Sequence, residues 1–135
     1  MKNLIMVALL ATISFVALTT IAQTKPPAKV EIGYFHAERR CMTCNNVEKV
    51  SKQAVEKLYP EQHKNGLITY VSVNLDKQES KALMEKFNAT GQALIIISGN
   101  QRMDLTSQGF MYANTQPRRL EDAMKKVIDP MLASQ

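Results

Sequence analysis

The fold is decided by one stretch of this sequence, Val30-Glu31-Ile32-Gly33-Tyr34-Phe35-His36-Ala37-Glu38-Arg39-Arg40-Cys41-Met42-Thr43-Cys44. Residues 30–36 are mostly apolar and aromatic, which predicts a first β-strand. The two cysteines of the chain, Cys41 and Cys44, end the stretch as a C-x-x-C. A disulfide that closes so small a ring stabilises a fold by roughly 2 kcal/mol at best, and structural disulfides usually close longer loops. Reversible thiol chemistry is therefore the favoured use of this pair.

The residues after the C-x-x-C first follow a helical pattern. A helix is predicted over residues 44–59, because apolar residues recur there at three- and four-residue intervals: Val47, Val50, Ala54 and Leu58. Glu48 and Lys52 are expected to form an i,i+4 pair on the opposite face. Pro60 is expected to stop this helix.

Strand patterns dominate the middle of the chain. Residues 67–75 alternate apolar and polar side chains, as a half-buried strand does. Residues 94–97 form a continuous apolar run, which is typical of a central strand covered on both faces. Gly99-Asn100 then predicts a two-residue hairpin turn into a strand over residues 101–106.

Two further helices complete the prediction. Residues 77–88 are expected to form the second helix, and the last is expected to start near Pro117 and to end before Pro130. Residues 107–116 have no pattern that assigns them. The predicted fold is α/β with the order β-α-β-α-β-β-α, a four-strand mixed sheet covered by three helices, and its first βαβ unit is parallel and right-handed.

The N-terminal segment has the features of an export signal. Lys2 is followed by an apolar stretch over residues 4–18, and Thr20-Ile21-Ala22 offers a small-x-small cleavage site. Residues 1–22 are therefore predicted to be a signal peptide, with an uncleaved membrane anchor as the alternative. Residues 23–29 are predicted to be an extended tether and residues 30–135 one domain. The predicted location is a bacterial periplasm, where disulfides persist.

The charge pattern bears on the class of partner. The formal net charge is +5, and lysines alternate with glutamates along the predicted helices. This pattern favours a solvated surface over a nucleic-acid groove. Contact with a membrane is expected only through residues 1–22, if they are not cleaved off. A monomer without a cofactor of its own is expected.

The element order, with a C-x-x-C at the start of the first helix, resembles the thioredoxin-like superfamily in its minimal form. Residues 35–44 are similar to the strand, loop and active-site run of those proteins, and residues 87–94 look like the segment that leads into their central hairpin. The chain also resembles a small bacterial family described as the ArsF subunit of a nitrophenyl compound nitroreductase. That family shares a Phe-His-Ala-x-Arg-Arg-Cys-x-Thr-Cys run.

Two positions depart from the thioredoxin pattern. Ala93 stands where those proteins carry a cis-proline, and Arg40 stands where they carry a tryptophan. In that superfamily the cis-proline helps to bind extended peptide and keeps metals away from the cysteines. Its replacement argues against a general exchanger of protein disulfides.

The expected chemistry is thiol–disulfide exchange. The free N–H groups and dipole of a helix N-terminus favour the thiolate of Cys41, and Arg39 and Arg40 are expected to lower its pKa further. Cys41 is therefore the predicted nucleophile and Cys44 the predicted resolving thiol. A protein thiol or disulfide, or a membrane electron donor, is the implied partner.

Two further residues are candidates for the same site. His36 ends the first strand, where it is a candidate proton acceptor, charge partner or packed structural residue. Gln92 is a candidate substrate contact, because the resemblance implies that it faces the cysteines.

Two other functions stay open. A module that binds a soft ion such as Cu(I) or As(III) would use Cys41 and Cys44, with His36 as a third ligand. An accessory subunit of a larger reductase would use Phe110-Met111-Tyr112 as an apolar contact. The enzymatic reading, a thiol–disulfide oxidoreductase, is preferred over both.

Overall fold

A computed structural model describes residues 29–134 of the chain. The predicted export segment 1–22, and all of the predicted tether except Lys29, lie outside the described residues. The sheet has four strands, which are β1 (Val30–His36), β2 (Ile68–Asn74), β3 (Ala93–Ser98) and β4 (Gln101–Asp104). Their order is β2-β1-β3-β4. β1 pairs in parallel with β2, and β3 pairs antiparallel with both β1 and β4. The predicted α/β class and mixed four-strand sheet are confirmed.

The described residues form five α-helices, so the prediction of three helices is wrong. They are α1 (Met42–Leu58), α2 (Pro60–Lys64), α3 (Lys81–Phe87), α4 (Thr106–Tyr112) and α5 (Pro117–Ala133). Pro60 ends α1, as predicted, but it also occupies the first turn of α2. A proline is tolerated there because its missing N–H has no helical partner at that position.

The helix α4 lies in the segment that the sequence left unassigned. Gly109 in this helix is buried, and a Cβ atom at that position would meet Val47 Cγ1 of α1 at 3.0 Å. A glycine weakens an isolated helix, so this element owes its stability to close packing on α1 rather than to local propensity.

Two predicted helices differ at their ends. The residues predicted as the second helix divide into a 3₁₀ turn at Gln78–Ser80 and α3, which ends at the left-handed Asn88 (φ 49°). The prediction that the last helix ends before Pro130 is wrong, because α5 continues to Ala133. Met131, directly after the proline, is 2% exposed. Burying a methionine contributes about 1.5–3 kcal/mol, which offsets much of the roughly 3 kcal/mol that proline costs inside a helix.

The sheet separates two apolar layers of unequal size. The larger layer contains α1, α4 and α5, and side chains of β1 such as Ile32 and Tyr34 point into it. The smaller layer contains α3, whose Phe87 packs edge to face on Phe35 with ring centroids 5.4 Å apart. In the part of the chain that the structure describes, no helix is both long and apolar enough to cross a bilayer.

Candidate active site

The site lies where β1 passes through residues 37–41 into α1. Cys41 is the N-cap of α1, with extended backbone (φ −74°, ψ 165°), and the Cys44 N–H donates to its Sγ at 3.1 Å. The two cysteines form a disulfide. Cys41 is exposed, whereas Cys44 is 4% exposed. One end of the disulfide is therefore open to a partner and the other is covered.

Tyr34 supports the first turn of α1 from below. The side chain is fully buried, and its O–H donates to the Cys44 carbonyl oxygen at 2.8 Å. Burial raises the pKa of Tyr34 to about 12, against a smaller lowering by the nearby Arg40 charge and with a further increase from Glu48. The hydroxyl therefore stays protonated and remains a donor to the turn that carries the cysteines.

Arg40 connects α1 to the end of β1. Its guanidinium forms an ion pair with Glu48, which the sequence had matched with Lys52, and donates to His36 Nε2 at 2.7 Å. Glu48 follows Cys41 by two helical turns, which is on the order of 10 Å along the axis. The charge of Arg40 is thus compensated by the carboxylate of Glu48 on α1, whereas Arg39 is exposed to solvent.

His36 is held through both of its ring nitrogens. Nδ1 lies 2.9 Å from the Ala37 carbonyl oxygen, and Nε2 also lies 3.0 Å from Ser72 Oγ. A carbonyl only accepts and a guanidinium only donates, so these partners assign the proton to Nδ1 and the lone pair to Nε2. His36 is 4% exposed and joins β1, β2 and the loop before Cys41.

A metal centre is not assembled in this arrangement. Among residues 29–134, no group of three or more His, Cys, Asp and Glu side chains is placed to hold a metal ion. The disulfide occupies both sulfurs, and the lone pair of His36 accepts from Arg40 and faces Ser72.

Gln92 lies at the same edge of the sheet as the cysteine loop. Phe35 of β1 pairs with Ala93 of β3, so Gln92 continues that antiparallel register toward the end of β1. Its side chain is exposed and lines a cavity of about 400 Å³ together with Arg102, Asp104 and others. This edge therefore contains the predicted contact residue as well as the disulfide.

The wall of this cavity is fixed by a short chain of hydrogen bonds. Thr106 Oγ1 accepts from the Leu94 N–H at 3.1 Å and donates to Asp104 Oδ1 at 2.5 Å. Burial opposes ionisation of Asp104, but the hydrogen bonds from Thr106 and the neighbouring Arg102 outweigh it and hold the pKa of Asp104 below its usual value. The carboxylate thereby ties β4 to the start of α4.

Asn114 is a site residue that the sequence did not indicate. Its Nδ2 donates to Thr43 Oγ1 at 2.7 Å, and its Oδ1 accepts from Asn46 Nδ2 at 2.7 Å. Thr43 lies within the C-x-x-C, 71 residues away in sequence. An asparagine in a segment without periodicity carries no signal of such a contact. Tyr34 was more accessible to prediction, since it alternates with His36 along one face of a strand.

The apolar segment 110–112 does not form one exposed patch. Met111 is 63% exposed, but Phe110 and Tyr112 are partly buried and pack against the larger core. The Arg119 guanidinium covers the Tyr112 ring, 5.4 Å from its centroid.

Comparison with known proteins gives little further information. No family model and no curated protein matches this chain. A solved structure of a malarial protein is similar, with 23% sequence identity, a TM-score of 0.40, and coverage of 63% of this chain and 92% of that one. A likeness of this degree determines neither fold family nor chemistry.

Proposed function

We propose that this protein is an exported, periplasmic thiol–disulfide oxidoreductase of the thioredoxin-like superfamily, which cycles Cys41 and Cys44 between dithiol and disulfide. The observation that carries the proposal is the placement of the pair. A disulfide at a helix N-cap, with Cys41 exposed and Cys44 covered, has one sulfur available for attack and a second within reach to resolve the adduct.

The sheet topology supports the superfamily assignment. The C-x-x-C follows β1, which pairs in parallel with β2 and antiparallel with β3, and β4 completes a hairpin with β3. The expected α/β unit thus has its cysteines at the carboxyl end of a central strand. Loops from different strands meet at this edge, which is where open α/β sheets usually place their sites.

The reaction needs only the two thiols and a partner disulfide. In the reducing direction, the Cys41 thiol loses its proton, and the thiolate attacks a sulfur of the partner. A mixed disulfide forms, and the partner's second sulfur leaves as a thiolate that takes up a proton. Cys44 then loses its proton and attacks Cys41 Sγ, which closes the disulfide and releases the first partner sulfur as a thiol. The partner gains two electrons and two protons, and the reverse steps oxidise it.

The chain supplies electrostatic and geometric support for these steps. The Cys44 N–H already donates to Cys41 Sγ, and a thiolate at that sulfur would accept the same bond more strongly. The helix N-terminus also favours negative charge there. Arg39, which is exposed and lies two residues before Cys41 in the sequence, adds a cation, whereas Arg40 is neutralised by Glu48. Electrons enter or leave through a protein thiol partner or a membrane electron donor.

The proposal predicts different outcomes for the two cysteines. Cys44→Ser is expected to accumulate mixed disulfides between Cys41 and partner proteins, because the resolving thiol is missing. Thiol–disulfide exchange is stopped with acid in the native cells, and the adducts are detected on non-reducing gels of the extracts and identified by mass spectrometry.

Cys41→Ser is the matched control for this experiment. It removes the exposed nucleophile and is expected to form no adduct, although Cys44 remains. The absence of reducible adducts in both variants, with both proteins folded and exported, would contradict the exchange reaction.

A further inference from the structure

We propose that Asn114 is a positioning residue for the Cys41–Cys44 pair, which holds the first turn of α1 in the conformation of the disulfide form. The inference rests on the proposed function and deepens it, since it names a residue far away in sequence that sets the redox equilibrium of the same site.

The hydrogen bond from Asn114 reaches a residue inside the ring that the Cys41–Cys44 disulfide closes. Thr43 lies between the two cysteines, and its Oγ1 accepts from Asn114 Nδ2 at 2.7 Å. Asn46, one turn further along α1, donates to Asn114 Oδ1 at 2.7 Å. One amide therefore links a residue inside the ring to a residue outside it, and fixes the first turn of the helix relative to the second.

The segment that precedes Asn114 packs closely against α1. Thr43 and Val47 are four residues apart on α1 and share a face. Val47 on that face packs so closely against Gly109 of α4 that a Cβ there would lie 3.0 Å from its Cγ1. Ala113, directly before Asn114, is 5% exposed, and its N–H donates to the Gly109 carbonyl at 3.0 Å. Asn114 itself is exposed, and its position is set by this buried residue directly before it.

This contact favours the disulfide over the dithiol. Reduction breaks the S–S bond, and the two sulfurs separate from about 2.0 Å to a non-bonded distance, so the turn between them must relax. Tyr34 holds this turn from the sheet side through the Cys44 carbonyl, and Asn114 holds it from the α4 side through Thr43. A hydrogen bond that is formed best in the oxidised conformation makes reduction less favourable, and its removal makes reduction easier.

The test is the equilibrium between the full domain and glutathione, in which two glutathione thiols reduce one Cys41–Cys44 disulfide and become glutathione disulfide. Asn114→Ala is expected to raise the equilibrium constant for reduction about threefold, or about 14 mV at 29.6 mV per tenfold change. Thr43→Val is expected to have the same effect, and Thr43→Ser, which keeps the hydroxyl, is expected to match the wild type. The double variant Asn114→Ala/Thr43→Val is expected to shift no further than either single variant.

A second readout separates positioning from ordinary stabilisation. Asn114→Ala is expected to lower the urea midpoint of the oxidised form more than that of the reduced form, whereas a purely structural contact would lower both equally. Asn45→Ala, an exposed asparagine in the same turn, is the control and is expected to leave the equilibrium constant unchanged. An unchanged constant in Asn114→Ala, or additive shifts in the double variant, overturns the inference and leaves the proposed function intact. A wild-type pair that does not exchange with glutathione at all contradicts both this inference and the proposed function.

Discussion

At the scale of single residues, the site is a set of polar side chains that hold one another. Arg40 bonds to Glu48 and His36, and His36 in turn reaches Ser72. Among residues 29–134, no buried side-chain nitrogen or oxygen lacks a hydrogen-bond partner. When every polar group of a network has a hydrogen-bond partner, removing one side chain leaves another without its partner. A buried polar group without a partner lowers the free energy of unfolding.

Glu48 provides the clearest test of this network. Glu48→Ala is expected to lower the free energy of unfolding by about 1–2 kcal/mol, because it leaves the Arg40 guanidinium without its counter-charge. The cost stays moderate because both side chains are about a quarter exposed, at 26% and 23%. Urea unfolding of the oxidised protein measures it.

The matched control is Glu56→Ala, which removes an exposed carboxylate from the same helix. It is expected to change stability by less than about 0.5 kcal/mol. Equal effects of the two substitutions would show that the ion pair with Arg40 does not stabilise the loop before Cys41.

The sequence located the disulfide-bonded pair but not the side chains that support it. The spacing of Cys41 and Cys44 predicted a redox pair at the start of a helix, and the structure places their disulfide at the N-terminus of α1. Arg39 and Arg40 were expected to act alike, because adjacent arginines are equivalent in a sequence. Only the path of the chain separates them, since it brings Glu48 and His36 to Arg40 and leaves Arg39 in solvent.

At the scale of secondary structure elements, β1 depends on a glycine that lies under two aromatic rings. A Cβ at Gly33 would lie 2.7 Å from Phe35 Cε2 and 2.9 Å from Phe87 Cε1. Gly33→Ala is therefore expected to destabilise the protein by about 2–3 kcal/mol, because the rings must leave their packed positions. Chemical unfolding monitored by circular dichroism measures the loss.

Gly91→Ala is the control for this substitution. Apart from Gly91 and its two neighbours in the chain, no heavy atom lies within 4 Å of a Cβ built there, so the change is expected to stay within about 0.5 kcal/mol of the wild type. A Gly33→Ala variant as stable as Gly91→Ala would mean that the ring pair moves aside at little cost.

Elements were predictable where local pattern and tertiary packing agree. The limits of β1 match the prediction, and the apolar run 94–97 lies within β3. α4 was missed because a helix that contains Gly109 has little propensity of its own and is formed by contact with α1. The end of α5 was misplaced because the burial of Met131 outweighs the local signal of Pro130.

At the scale of the whole molecule, the ion pair between Arg102 and Asp104 of β4 joins elements on both sides of the sheet. Asp104 accepts from Thr106 at the start of α4, and Arg102 beside it donates to the Phe87 carbonyl at the end of α3. The fold holds the pKa of Asp104 below the usual 3.8, since its hydrogen bonds outweigh its burial. The folded state therefore favours the ionised form, and this contribution is complete above about pH 3.8. It is lost as the pH falls through the lower pKa of the folded state.

Acid unfolding is expected to report this linkage. The free energy of unfolding of the wild type should decline as the pH is lowered below about 4, and Asp104→Asn should decline less steeply, because one depressed carboxyl has been removed. A residual slope is expected from Asp129, whose pKa is lowered by hydrogen bonds from Lys125 and Tyr59. Urea titrations between about pH 2.5 and pH 7, a range that includes the usual carboxyl pKa values, measure how the free energy of unfolding of each protein changes with pH. Asp122→Asn, at an exposed position on α5, is the control, and an Asp104→Asn slope equal to that of the control would remove Asp104 from the acid response.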